Sequence, residues 1–382
     1  MSKIYDYQHE GRFFAQFAPG LEAPGMEELR ELGASDCKDT YGGAHFTADL
    51  ATLYRVNYCT RLASRILAPM IRFDCHSDRY LYQTARQLPW PELFTTEQTF
   101  AIQASVSNSH ISHSQFAGQR LKDAIVDTFR DATGIRPSVD TKNPDLWIHL
   151  RIDRDKASIA LDTSGRALHR RGYRVESVEA PLQETLAAAI VRLSGWAGER
   201  PLLDPFCGSG TLLTEALMSW CRIPAGYLNP PMGFRLLPEY DEAVWNQVKS
   251  ACDRQIRPLP EGLIAGSDLS NDALRAARAN LAGLPGGKNV ALVRRDYREI
   301  KALENTTLIC NPPYGIRLEK NTDMPAFVKE LGDFLKQRCT GSTAYVFFGE
   351  RALLKSIGLR TSGKWPLFNG GLEGRLSRFD LY

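Results

Sequence analysis

The chain has no C-x-x-C pair. Its eight cysteines, at positions 37, 59, 75, 207, 221, 252, 310 and 339, are scattered through 382 residues, a distribution that argues against a zinc ribbon or a disulfide scaffold and fits reduced thiols. Neither sign of charge is in excess, with 47 Lys and Arg against 44 Asp and Glu, so overall basicity does not announce a nucleic-acid partner and any basic surface must be local. No run approaches the ~18 consecutive apolar residues of a membrane span. The opening Met1-Ser2-Lys3-Ile4-Tyr5-Asp6 lacks the apolar core of a signal peptide, and no heptad repeat suggests a coiled-coil dimer. A soluble, cytoplasmic, monomeric protein of two or three domains is expected. Also missing are G-x-G-x-x-G and a P-loop lysine, the two commonest phosphate-binding signatures.

What is present begins with Asn311-Pro312-Pro313-Tyr314, which follows the apolar run Thr307-Leu308-Ile309-Cys310, a short buried strand feeding a tight turn. The prolines fix φ and remove two N–H donors, so the turn offers carbonyl oxygens in a rigid array beside the Asn amide. Such an array holds an amino group. Two acceptors take both hydrogens of an exocyclic base amine and leave the nitrogen lone pair free, while the Tyr314 ring gives a planar base a face to stack on. The competing reading of this motif alone is a proline-stiffened loop without chemistry.

A second constellation runs from Pro201-Leu202-Leu203 through Asp204-Pro205-Phe206-Cys207-Gly208-Ser209-Gly210-Thr211 into the helical pattern Leu212 to Leu217. This reads as strand, glycine turn, helix. The glycines let backbone approach a ligand, and the helix N-terminus adds partial positive charge. An Asp at the strand end suits a ligand with a cationic head and no phosphate, such as the amino and sulfonium groups of S-adenosylmethionine. Further acids end later strands: Leu263 to Ser267 precedes Asp268, and Val290 to Val293 precedes Asp296. In a doubly wound sheet these positions reach ribose hydroxyls and an adenine amine. Asp268 lies far beyond the ~20-residue spacing of a minimal nucleotide-binding unit, so residues 219 to about 260 are read as an insertion. Its Asn229-Pro230-Pro231-Met232 lacks a preceding strand and a following aromatic, and reads as a loop. With helix 325–338, strand Thr343–Phe348 and a final pair of strands turned by Phe368-Asn369-Gly370-Gly371, the C-terminal half reads as an open, mostly parallel α/β sheet with an antiparallel edge.

These residues resemble the class I S-adenosylmethionine-dependent methyltransferases, and among them the amino-methylating group that bears Asn-Pro-Pro-Tyr. Arg170-Arg171-Gly172-Tyr173-Arg174, Ala180-Pro181-Leu182-Gln183-Glu184-Thr185-Leu186-Ala187-Ala188-Ala189 and the loop from Asp204 to Thr211 are similar to the bacterial large-subunit ribosomal RNA guanine-N2 methyltransferase family called RlmL. Gly118 to Asp127, Trp147 to Ile152 and Ala157 to Leu161 resemble the THUMP RNA-binding domain of that family. The resemblance implies a ferredoxin-like α+β module over 1–60, a THUMP domain over 61–162 and a Rossmann-like methyltransferase domain over 163–382. It implies a site for S-adenosyl-L-methionine made by Pro181, Glu184, Thr185, Asp204, Phe206, Cys207, Gly208, Gly210, Thr211, Asp268, Leu269, Asp296, Tyr297 and Asn311. Asn311, Pro312 and Tyr314 are the expected catalytic residues, and no metal is expected. The best known family members continue into a second methyltransferase domain, and with the sequence ending at Tyr382 no second activity is expected.

Residues 12–60 read as strand (Arg12–Ala18), helix (about Pro24 to Leu32) and a strand ending near Thr47. Beyond them, Arg and Lys interleaved with Tyr80, Tyr82, Phe116 and Trp147 suit a phosphate backbone better than a small molecule. On the helix Gln115 to Arg130 the stripe Leu121, Ile125, Phe129 should pack on a sheet and leave the Arg120 head exposed, so Arg120 and Lys122 are candidate RNA contacts. The polar loop Asp162 to Arg166 reads as a joint between halves, and Arg170 and Arg171 as candidates to touch RNA entering the site. The expected reaction is direct methyl transfer to the N2 amine of a guanine in 23S ribosomal RNA. Transfer-RNA guanine-N2 methylation, DNA adenine-N6 or cytosine-N4 methylation and a non-catalytic ribosome-assembly role remain alternatives.

Overall fold

The first sheet in this computed structural model comprises β1 (Arg12–Gln16), β2 (Ser35–Thr40), β3 (Gly43–Thr47), β4 (Arg65–Asp74), β5 (Thr99–Ser107), β6 (Ser138–Val139), β7 (Leu146–Asp153) and β8 (Lys156–Asp162) in the order β2-β3-β1-β4-β8-β7-β5-β6. Residues 4–176, 181–230, 232–313 and 323–382 are described. In β7 the period is plain, with Leu146, Ile148, Leu150 and Ile152 buried and the residues between them part-exposed, as expected of a strand with one face on a core. Helix Ser114–Thr133 buries Ala117, Leu121, Ala124, Ile125 and Phe129, the i, i+4 stripe of an amphipathic helix. Strand β4 joins what the sequence divides at residue 60: Leu67 pairs with Phe14 of β1 on one side and with Asp162 of β8 on the other.

By backbone contacts the first unit contains residues up to Phe17, Gly25–Leu168 and Pro230–Lys249. Much of the expected insertion therefore folds with the N-terminal region. Phe234 and Trp245 lie with Tyr54 at ring separations of 4.6 and 6.3 Å, and Trp245 meets Tyr58 edge-on at 5.4 Å. Gly233 passes so close to the turn after β8 that a Cβ there would stand 2.3 Å from the Asp162 carbonyl oxygen. The loop read as a joint, Asp162 to Arg166, begins as a packed turn, with Asp162, Thr163 and Ser164 fully buried. The Asp162 carboxylate takes the Arg65 guanidinium and the Ser164 N–H. Ser164 Oγ accepts from the Ile66 N–H at 2.8 Å and Thr163 N–H donates to the Ile66 carbonyl at 2.9 Å, so polar groups replace a strand partner for both Ile66 backbone groups.

The second unit holds Ala18–Pro24, His169–Asn229 and Ser250–Tyr382. Its sheet contains β9 (Leu202–Asp204), β10 (Ile264–Asp268), β11 (Ala291–Arg294), β12 (Thr307–Cys310), β13 (Thr343–Phe348), β14 (Gly363–Asn369) and β15 (Leu372–Asp380), ordered β11-β10-β9-β12-β13-β15-β14. The first five run parallel and β15 antiparallel. Here the edge differs from expectation in one respect: the antiparallel strand lies inside the sheet, between β13 and β14, and the edge is β14. Strand β12 is buried along its whole length, as a central parallel strand covered on both faces must be. Leu308, Cys310, Ala344, Val346 and Phe348 pack with Val328, Leu331 and Leu335 of the helix Met324–Arg338, at roughly 1.5–3 kcal/mol for each large buried side chain. Crossover direction puts the C-terminal ends of β9, β10, β11 and β12 on one rim, where ligands of open α/β sheets bind. The Rossmann-like class I methyltransferase architecture read from the sequence is the one observed.

Candidate active site

Strands β9 and β10 each end in an aspartate, whose side chain emerges where the sheet stops and the next loop begins. Asp204, at the end of β9, is 1% exposed, and its Oδ1 accepts the Phe206 N–H at 3.0 Å. Burial, with added repulsion from Asp268, raises its carboxyl to about 8, against the opposing pull of that hydrogen bond. A cation brought beside it would restore the ionised form. The loop that follows turns through positive φ at Gly208 (52°) and Gly210 (79°). At Gly210 a Cβ would also sit 3.0 Å from the Ala277 Cβ, so both backbone conformation and helix approach require glycine. Asp268, ending β10, accepts the Gly208 N–H at 2.9 Å with Oδ2 and the Ser270 N–H at 2.9 Å with Oδ1, which fixes the loop from the neighbouring strand.

Beyond β11, Asp296 caps a short turn and is gripped by the Arg298 guanidinium at 2.6 Å; the hydrogen bonds of Arg298 hold its carboxyl below the usual range. Tyr297 is buried, its ring 5.0 Å from Phe206 and 5.3 Å from Phe334. Asn311, following β12, is 9% exposed, and its Oδ1 is buried without a hydrogen-bond partner among the described residues. A buried acceptor left unmet costs roughly 1–3 kcal/mol, and one facing a cleft is provided for when a ligand donates to it.

That cleft has a volume of about 690 Å³, and Phe206, Gly208, Asp268, Leu269, Asp296, Tyr297 and Asn311 line it. A recess of about 40 Å³ shares Phe206, Gly208 and Asn311 with it and adds Pro181, Asp204, Cys207 and Thr211. Burial pushes the Cys207 thiol far up, so it is a packing group there. Gly210 and Pro312 line neither space, and Tyr314 lies outside the described residues. Pro313 of the motif lines the cleft, and so do Phe327 and Glu330, which were not singled out and follow from the helical register of 325–338 only once that helix is seated on the sheet. Glu184 and Thr185 line neither space. Glu184 is buried and bound at 2.9 Å to Arg174 Nε, whose Nη2 reaches the Leu182 carbonyl at 2.9 Å and Thr211 Oγ1 at 3.1 Å.

The basic candidates divide. Arg171 is corrected: it is 2% exposed and paired with fully buried Glu215, which also accepts from the Tyr173 hydroxyl at 3.0 Å. Its charge serves the interior of the second unit. Arg170 remains exposed. Arg120 is drawn back rather than presented, with Asp78 at 3.2 Å and its guanidinium 4.8 Å from the Tyr82 ring centre. Lys122 is part-exposed, pairs with Asp123 at 2.9 Å and stands on the wall of a groove of about 330 Å³ between β5 and its helix. One further residue escaped the sequence reading. Asn280 accepts the Val175 and Glu176 N–H groups and donates to the Ser209 carbonyl at 3.0 Å; its signal was an amide inside the apolar stripe of the helix Asn271–Ala282.

Comparison with known proteins follows the same division of the chain. The RMKL-like methyltransferase domain family matches residues 171–378, the THUMP domain residues 76–162 and the RlmL ferredoxin-like domain residues 12–67. A candidate RNA methyltransferase of Synechocystis sp., slr0064, is 39% identical over 372 residues, which is 97% of each chain. Ribosomal RNA large subunit methyltransferase K/L of Syntrophotalea carbinolica is 39% identical over 385 residues, covering 97% of this chain and 53% of that protein; its counterpart from Photobacterium profundum is 37% identical, with 95% and 52% covered. The chain thus spans about half the length of these two relatives. Among solved structures, SMU.472, a candidate methyltransferase complexed with SAH, superposes with a TM-score of 0.86 at 28% identity over 100% of this chain and 99% of the other. A predicted N6-adenine-specific DNA methylase from Listeria monocytogenes gives 0.83 at 25% identity over 98% of each. Among the described residues, no helix is long and apolar enough to cross a membrane.

Proposed function

The chain belongs to the family of RMKL-like methyltransferases, and from that premise we propose that it transfers a methyl group from S-adenosylmethionine to the exocyclic N2 amine of a guanine in large-subunit (23S) ribosomal RNA. The observation that carries the reading is the buried, unmet Oδ1 of Asn311 on the wall of a cleft that also holds Asp268 and Asp296. The residues present fit the cofactor. Asp204 is a buried carboxyl short of a cation, Asp268 and Asp296 stand at the ends of the next two strands, and the loop through Gly208 brings backbone to the cleft. When bound, the cofactor supplies a methyl group on a sulfonium, already electrophilic. The protein's part is then geometry.

A guanine amine is a poor nucleophile because its lone pair is delocalised into the ring. Asn311 Oδ1 and the Pro312 carbonyl would accept its two hydrogens, favouring a more pyramidal nitrogen and holding it toward the methyl group. Tyr314, from its place in the motif, would stack on the flipped base and offset part of an unstacking cost of ~2–4 kcal/mol. After transfer the nitrogen is acidic, so no strong base is required. RNA as the substrate is supported by the THUMP match and by the names of the K/L relatives. We assign RNA binding to the domain over 61–162, with Lys122 as a contact there and exposed Arg170, beyond that domain, as a further one.

The test is methyl transfer from labelled S-adenosylmethionine to unmodified large-subunit ribosomal RNA, with transfer RNA and DNA in parallel and the product nucleosides identified. N2-methylguanosine on ribosomal RNA alone is expected. Label confined to transfer RNA or to DNA overturns the substrate assignment, and no transfer to any of them overturns the enzyme reading.

A further inference from the structure

The run His169 to Arg174 reads in the sequence as a candidate to touch RNA, yet from Arg171 on the chain is built into the methyltransferase unit. Arg171 and Tyr173 meet Glu215, and the Val175 and Glu176 amides meet Asn280. Between these anchors Arg174 lies behind the wall of the recess that holds Asp204 and is tied to it through two lining residues. Its guanidinium bonds two residues of that recess wall, the Leu182 carbonyl and Thr211 Oγ1, while Nε is fixed by Glu184. The remaining nitrogen, Nη1, is buried and has no hydrogen-bond partner among the described residues. The Arg174 side chain keeps only 18% of its exposure, so water is a poor substitute for a missing acceptor, and an unmet charged donor is costly.

An amino-acid head is a zwitterion. A site that takes its ammonium on a buried carboxyl must also find a donor for its carboxylate, or leave a second charge desolvated and unpaired. Asp204 is the carboxyl of this recess. We propose that Arg174 is the carboxylate-binding residue for the amino-acid end of the cofactor, with Nη1 as donor and Glu184 as the positioning residue that holds the guanidinium plane. This rests on the methyltransferase reading. It also gives Glu184 a role that does not require it to touch the ligand. The planar fork explains arginine rather than lysine, since one flexible ammonium cannot serve Glu184, Leu182, Thr211 and a ligand together.

Calorimetric binding to the purified chain tests this with two probes: S-adenosylhomocysteine, which carries the amino-acid head, and methylthioadenosine, which lacks it. Arg174→Gln should weaken S-adenosylhomocysteine roughly 10- to 100-fold, the size expected for one charge-assisted hydrogen bond, and leave methylthioadenosine within about 3-fold. Equal loss of both probes would mean that Arg174 only supports the wall, and no loss of either would mean that it faces elsewhere; each overturns the assignment. Arg174→Lys serves if the glutamine variant does not fold, with a smaller loss confined to S-adenosylhomocysteine expected and an equal loss of both probes refuting. Failure of the unaltered chain to bind S-adenosylhomocysteine at all would instead sink the methyltransferase reading.

Discussion

Replacing Asp204 with Asn should make the ligand-free protein more stable while removing its grip on cofactor. The carboxyl is buried and its Oδ1 keeps the Phe206 N–H in either residue, so the substitution preserves shape and one hydrogen bond. Its rise from the ordinary 3.8 to about 8 is worth roughly 6 kcal/mol at ~1.4 kcal/mol per tenfold. That is a ceiling, because relaxation and water entry lower the penalty for a buried ion. The sign follows from proton counting. With the folded value above the unfolded one, the folded chain keeps a proton that the unfolded chain releases, so the stability contributed by the neutral carboxyl is fully present below pH 3.8 and is lost as pH rises toward about 8. Asn cannot ionise and escapes this loss. Urea melts of ligand-free wild type and Asp204→Asn between pH 5 and 8.5 should show a gap that widens with pH, reaching about 2–4 kcal/mol in favour of the variant. Added S-adenosylhomocysteine should then raise the wild type and leave the variant where it was. A gap that does not change with pH, or a wild type more stable throughout, would refute the assignment of a buried, proton-holding carboxyl waiting for a cation.

Asn311→Ala should lower the single-turnover methyl-transfer rate roughly 100-fold, as for loss of one preorganised polar group, with little change in S-adenosylhomocysteine affinity by calorimetry. Asp268→Ala releases the Gly208 N–H and should instead weaken cofactor binding first, by about 10-fold, equivalent to one charge-assisted hydrogen bond. Gly210→Ala combines positive φ with a Cβ at 3.0 Å from Ala277 Cβ and should cost about 1–3 kcal/mol in denaturant melts. Arg171→Met leaves Glu215 as a buried charge without its guanidinium and should destabilise by about 3–5 kcal/mol, while RNA affinity of the folded fraction, read by gel shift, stays unchanged.

The parts of the site that the sequence displays are those whose cause is local. Proline at 312 and 313 stiffens a turn wherever it stands, glycine at 210 permits its own positive φ, and the apolar run Leu308 to Cys310 is buried because its side chains gain by leaving water. Strand ends and the acids that follow them were therefore readable within a residue or so. The parts that were missed depend on partners far along the chain. Residues 230–249 could pack on either unit by composition, and only the ring cluster of Phe234 and Trp245 with Tyr54 and Tyr58 decides between them. The strand Ser35–Thr40 is almost entirely exposed and carries no periodicity to read. Arginines in a run are solvated by default, which is why Arg170 and Arg171 read as RNA contacts. Yet the clue to Arg171 was present at a distance: the helix Thr211–Trp220 is buried over most of its length and contains a single carboxylate, Glu215. A charge in such a helix requires a counter-charge, and the fold supplies it from Arg171, far along the chain. The same reasoning separates Arg171 from Arg174. Both meet a buried glutamate through Nε, Arg171 at Glu215 and Arg174 at Glu184, but Arg174 retains an unmet nitrogen at Nη1 among the described residues, the difference between a group that completes a core and one that awaits a ligand.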